Sequence, residues 1–96
     1  MNTTSNPPVT VERFVVLCRS FPSIAARLTQ THSGGLPTVL MEIASGARGG
    51  AGAVGAARFL MHVWNGQPFD MRQAWSVWDD KHRRAFKNWA ADPWFV

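Results

Sequence analysis

"GGAGAVGAARFLMHVWNG", residues 49–66, admits two readings that lead to different folds. Gly50-Ala-Gly52-Ala-Val-Gly55 satisfies the G-x-G-x-x-G pattern of a dinucleotide-binding turn. That turn needs a strand running into its first glycine, a helix after it, and an acid at the end of a second strand about twenty residues on. The flanking sequence supplies only the helix. The upstream apolar run ends at Ala44, with S-G-A-R-G between, and the acid at the right distance, Asp70, stands where it would cap a helix. The one strand-like run, T-V-L-M-E-I at 38–43, has no second run to pair with.

The stretch is therefore read as the entry to a central helix. A-A-R-F-L-M-H-V-W is apolar nearly all round, its polar positions Arg58, His62 and Asn65 forming one narrow stripe. Asn65-Gly66 ends it and Pro68 forbids continuation. Two roles remain for the glycines. Gly52, Gly55, Ala56 and Ala57 form a small-residue face on which a neighbouring backbone or a Trp ring can sit closely. Alternatively, free N–H groups at the helix start, with Arg48 just before, offer a place for one phosphate or carboxylate.

Downstream, Asp70 and Gln73 form a capping-box pattern. Met71, Trp75, Trp78, His82, Ala85 and Trp89 then step by four and three, with Ala74 and Phe86 widening the seam, which predicts one long amphipathic helix ended by Pro93. Asp79 with Arg83 and Asp80 with Arg84 are acid-first pairs four apart, each worth about 0.3–0.5 kcal/mol. Trp94-Phe95-Val96 should fold back onto the core. Upstream, Thr10 is a good N-cap for a helix bearing Val11, Phe14, Val15, Cys18 and Phe21. Pro22 breaks it. A second helix is expected from Ser23 with Ile24 and Leu28 inward, and a third from Pro37 with Leu40, Ile43 and Ala44 inward, stopped by Gly46.

The expected architecture is all-α: a compact single-domain bundle of about five helices with a long Trp-rich amphipathic C-terminal helix. Residues 1–9 are expected as a disordered N-terminal arm, and 10–96 as the single helical domain. The 96-residue chain is long enough for one core, and 46% hydrophobic content with five Trp and six Phe suits it. The lone Cys18 allows no internal disulfide and fits a reducing cytoplasm. No signal peptide or membrane span is read from the sequence.

A net charge of +4 favours an acidic partner. Several function classes lose ground. His32, His62 and His82 are twenty apart with no ligand-spaced neighbour, so no metal is expected, and no Ser or Cys has a recognisable base nearby. No cofactor, catalytic residue or enzyme activity is expected. A helix-turn-helix from the second and third helices fits poorly, because its turn is long and its second helix lacks base-reading side chains.

Binding remains. The first expectation is a non-enzymatic adaptor or regulatory protein docking a protein partner, or its own copy as a homodimer, through Trp75, Trp78, Trp89, Trp94 and Phe95. The alternative is a nucleic-acid-associated accessory protein contacting phosphates through Lys81, Arg83, Arg84 and Lys87, with Arg48. A basic face is also what a solvated helix shows, and Asp79 and Asp80 offset part of its charge.

Overall fold

The computed structural model describes residues 7–28, 35–46 and 50–96. Six helices, α1 (Pro7–Arg19), α2 (Pro22–Ala25), α3 (Leu36–Ala44), α4 (Ala51–Asn65), α5 (Met71–Val77) and α6 (Asp80–Ala90), make a compact all-α fold with no strand among the described residues. Residues 38–43 are thus helical. Pro37 lies in the first turn of α3, and Gly46 adopts φ 86° beyond its end, the left-handed conformation that glycine takes without strain.

Helix α4 is central and packs against α2, α3 and α5. Its Ala53, Ala56, Ala57, Phe59, Leu60, Met61 and Val63 are buried, while Arg58 and Asn65 are exposed and His62 is partly so. Gly66, at φ 77°, closes it with its amide donating to the His62 carbonyl. Phe59 is the hub: its ring lies 5.0–6.2 Å from those of Phe21, Phe69, Trp78, Phe86 and Trp89. Edge-to-face and tilted contacts of this kind add to the area term of burial. Cys18 is fully buried beside this core, and burial pushes its thiol up to about 12.

Three expectations are corrected. Helix α1 begins at Pro7, three residues before Thr10, so residues 7–9 of the expected arm are helical. Proline suits a first turn, where the missing N–H would have had no partner. Residues 1–6 lie outside the described residues. Helix α2 is four residues long, because the chain after Ala25 tightens into i→i+3 bonds, Arg27 to Ile24 and Leu28 to Ala25.

Most consequentially, the single C-terminal helix is two. Trp78 is extended at φ −86°, ψ 141°, which drives its ring into the core at 3% exposure. Asp79 then starts α6 as its N-cap. The break also replaces the expected Asp79–Arg83 pair. Asp79 bonds His82, while Arg83 turns back to the Trp75 carbonyl at 2.8 and 3.2 Å, satisfying a group that an unbroken helix would have bonded.

Close packing explains the glycines. The Trp78 Nε1–H donates to the Gly52 carbonyl at 3.3 Å, and a Cβ on Gly55 would meet the Ala74 Cβ at 3.3 Å and Trp78 Nε1 at 3.4 Å. At Gly52 a Cβ would meet only the Val77 carbonyl, at 3.5 Å. Gly55→Leu should therefore overpack the α4–α5 contact and lose about 1–3 kcal/mol in urea unfolding. Gly52→Ala should be neutral or gain up to about 1 kcal/mol, because a first-turn glycine in helical conformation gives way without a clash to a residue with less freedom to lose on folding.

Candidate functional site

The break at Trp78–Asp79 gives α6 an inward and an outward chemical face. Inward, His82 is buried at 7% exposure, its ring lying 5.9 Å from Phe21 and 6.5 Å from Trp78. Asp79 accepts twice from His82, from its amide at 2.9 Å and from ring Nδ1 at 2.6 Å. The amide bond is the N-cap, and the ring bond fixes the tautomer that carries its proton on Nδ1. The opposite nitrogen, Nε2, lies 2.7 Å from the Ser23 hydroxyl and 3.4 Å from the Ser23 amide. The expectation that no serine has a base beside it is thereby corrected. The pair is separated by 59 positions and meets only when α2 packs beside α6, so the sequence carries no local sign of it.

Asp79 remains exposed, at 65% of its side chain. Acceptance from the His82 amide, then from its ring, holds its carboxyl below the ordinary value of 3.8.

Outward, Trp75, Asp80, Arg83, Arg84 and Lys87 line a cleft of about 230 Å³. Trp75 is half-buried. The Arg83 guanidinium lies 5.0 Å and the Lys87 ammonium 5.7 Å from its ring centroid, within cation–π range. Three of the expected phosphate-contacting residues, Arg83, Arg84 and Lys87, are therefore brought together. Lys81 is exposed on the same helix, one turn before Arg84. Arg48 lies outside the described residues, as does His32.

Of the aromatic residues expected at a partner interface, Trp89, Trp94 and Phe95 lie together at the C-terminal end, while Trp75 lines the basic cleft. Trp78 is core. Trp89 is half-buried against Phe59 and Phe86, and its Nε1–H donates to the Trp94 carbonyl at 2.9 Å. Trp94 is half-buried under Arg13, 4.8 Å from its ring. Phe95 packs edge-on against Trp89 and His62 yet stays 55% exposed. The tail folds back as expected, the Val96 amide donating to the Val63 carbonyl at 3.1 Å.

A larger groove of about 610 Å³ runs between α4 and α5, walled by Val54, Pro68, Phe69, Ala74 and Val77, with Arg58 and Asp70 on its lining. Among the described residues no cluster of three or more His, Cys, Asp or Glu could hold a metal, and no helix is long and apolar enough to cross a membrane. Comparison with known proteins gives no significant match to a family model, a curated protein or a solved structure.

A carboxylate whose folded pKa is lowered stabilises the fold above its unfolded value and loses that contribution as pH falls through the folded value. Wild type should therefore be more stable than Asp79→Asn near neutrality, with the gap closing as pH drops below 3.8. Urea midpoints of both proteins from about pH 6 to about pH 3 would check this. A gap that does not change with pH would contradict the stabilising role of the charge.

Proposed function

We propose that the protein is a small binding protein whose partner is a polyanion, a nucleic acid contacted at its phosphates by the outer face of α6. The observation that carries this reading is the convergence of Arg83, Arg84 and Lys87 on one cleft with Trp75. Arg83 is held by the Trp75 carbonyl and stacked on the Trp75 ring, so little side-chain freedom is left to lose on binding. Lys81 on the same helix and Arg72 on α5 extend the exposed positive charge, and the net charge of +4 adds long-range attraction. Asp80 in the cleft opposes an anion, which favours a chain of phosphates spread along the helix over a single ion.

Binding carried by about three phosphate contacts should weaken with salt at a log–log slope of about −2 to −3. Arg83→Ala with Arg84→Ala should reduce affinity for a fluorescent duplex or single strand and flatten the slope by about 1 per residue removed. Fluorescence anisotropy across a salt series measures both. An unchanged slope, or no binding at low salt, would defeat the reading.

A second reading, docking of a protein partner or a second copy, is favoured by the α4–α5 groove and by the exposed apolar groups Val77, Phe95 and Val96. Its aromatic surface is reduced, because Trp78 is core and Trp75 and Trp94 each lie beneath a cation. An assembly that survives high salt in sedimentation would favour it over the nucleic-acid reading. The free, buried Cys18 suits either role in a reducing compartment such as the cytoplasm.

A further inference from the structure

We propose that Ser23 is an activated nucleophile, acylated by ester substrates, with His82 as its general base and Asp79 as the residue that positions the imidazole. The three side chains form a continuous hydrogen-bonded chain, Ser23 Oγ to His82 Nε2 at 2.7 Å and His82 Nδ1 to Asp79 Oδ1 at 2.6 Å. This is the connectivity in which a carboxylate holds one ring nitrogen protonated so that the other takes a hydroxyl proton. It goes beyond the binding role and does not rest on it.

The other described serines supply the contrast. The hydroxyls of Ser20, Ser45 and Ser76 each donate to the backbone carbonyl three residues before them, a group with no useful basicity. The Ser23 hydroxyl, by contrast, addresses an imidazole. A ring placed merely to cap the start of α2 would be aimed at the Ser23 amide. That amide does donate to Nε2, at 3.4 Å, but the hydroxyl is closer, at 2.7 Å, and makes the stronger bond. The base is well held. His82 is buried between Phe21 and Trp78, and the carboxylate that orients its ring also caps its helix. Ser23 itself is only part-buried.

Substrate class follows from the donors nearby. The amides of Phe21, Ile24 and Ala25 are all bonded to carbonyls, leaving the weakly held Ser23 amide as the donor closest to a developing oxyanion. Each missing oxyanion donor costs about 10²–10³ in rate. The site therefore suits esters with good leaving groups and not amides. The Ser23 oxygen attacks the carbonyl carbon as its proton passes to Nε2. The carbon–oxygen bond to the leaving group breaks, and Nε2–H returns the proton to that departing oxygen. Water, deprotonated by the same nitrogen, then attacks the acyl carbon; the bond to Ser23 Oγ breaks and Nε2–H returns its proton to that oxygen, giving the carboxylic acid and free Ser23.

The test is acetylation of the intact protein by p-nitrophenyl acetate and phosphonylation, with loss of fluoride, by a fluorophosphonate, with the modified residue located by peptide mass mapping. Ser23 should be labelled about 10²-fold faster than Ser20, Ser45 or Ser76, the contribution expected of a positioned general base. His82→Gln should lower the Ser23 rate by a similar factor, and added imidazole should restore part of it. For Asp79, ring nitrogen NMR should show the Nδ1–H tautomer in wild type and its loss in Asp79→Asn, together with slower acylation. Selectivity among the serines of the wild-type protein needs no variant and stands whether or not His82→Gln folds. Labelling of Ser23 no faster than the other serines, an acetyl group found on His82 or Lys81 in its place, or a rate unaffected in folded His82→Gln would overturn the proposal.

Discussion

The seating of one indole governs the arrangement of this fold. Trp78 lies against the small-residue face of α4, with its N–H on the Gly52 carbonyl and its ring edge close to Gly55. The extended backbone at Trp78, between α5 and α6, carries the ring into this seat. The absent side chains on α4 and the interrupted helix at Trp78 are therefore two halves of one packing solution. Phe59 then gathers the rings of Phe21, Phe69, Trp78, Phe86 and Trp89 around α4, which gives a short chain a large buried apolar area for its length.

The all-α fold and the central helix were legible because periodicity and punctuation agree: Asp70 caps α5, Gly66 closes α4, and Pro37 and Gly46 bracket α3. The small-residue face was legible too, since a run of glycine and alanine beside a tryptophan-rich segment has few uses in a core. The break at Trp78–Asp79 was hidden by the seam itself. Residues at steps of three and four stay on the inner side whether the helix is continuous or restarts after a short extended link, so Trp78, His82 and Ala85 are buried either way. Asp79 carried a second meaning, helix capping, that the pattern of i,i+4 ion pairs concealed.

The candidate sites were legible to different degrees for a related reason. Arg83, Arg84 and Lys87 are local to one helix, so their clustering can be read from spacing. What spacing cannot show is that Arg83 uses part of its guanidinium to finish α5 and lies across Trp75. The contact between Ser23 and His82 is a product of tertiary packing alone. One interruption in the chain thus builds both faces of α6, because the residue that begins the helix also orients the buried imidazole, and the residue that mends the preceding helix shapes the basic cleft.

Cys18 gives this architecture a further property. Its thiol is enclosed beside the core, and burial holds it in the protonated form, which does not react with alkylating agents. Modification must wait for α1 to part from the bundle, so the rate at which the thiol reacts in the native protein reads the free energy of that opening. The single cysteine is in this sense a clock for the docking of the first helix, wound by the same burial that keeps it chemically silent.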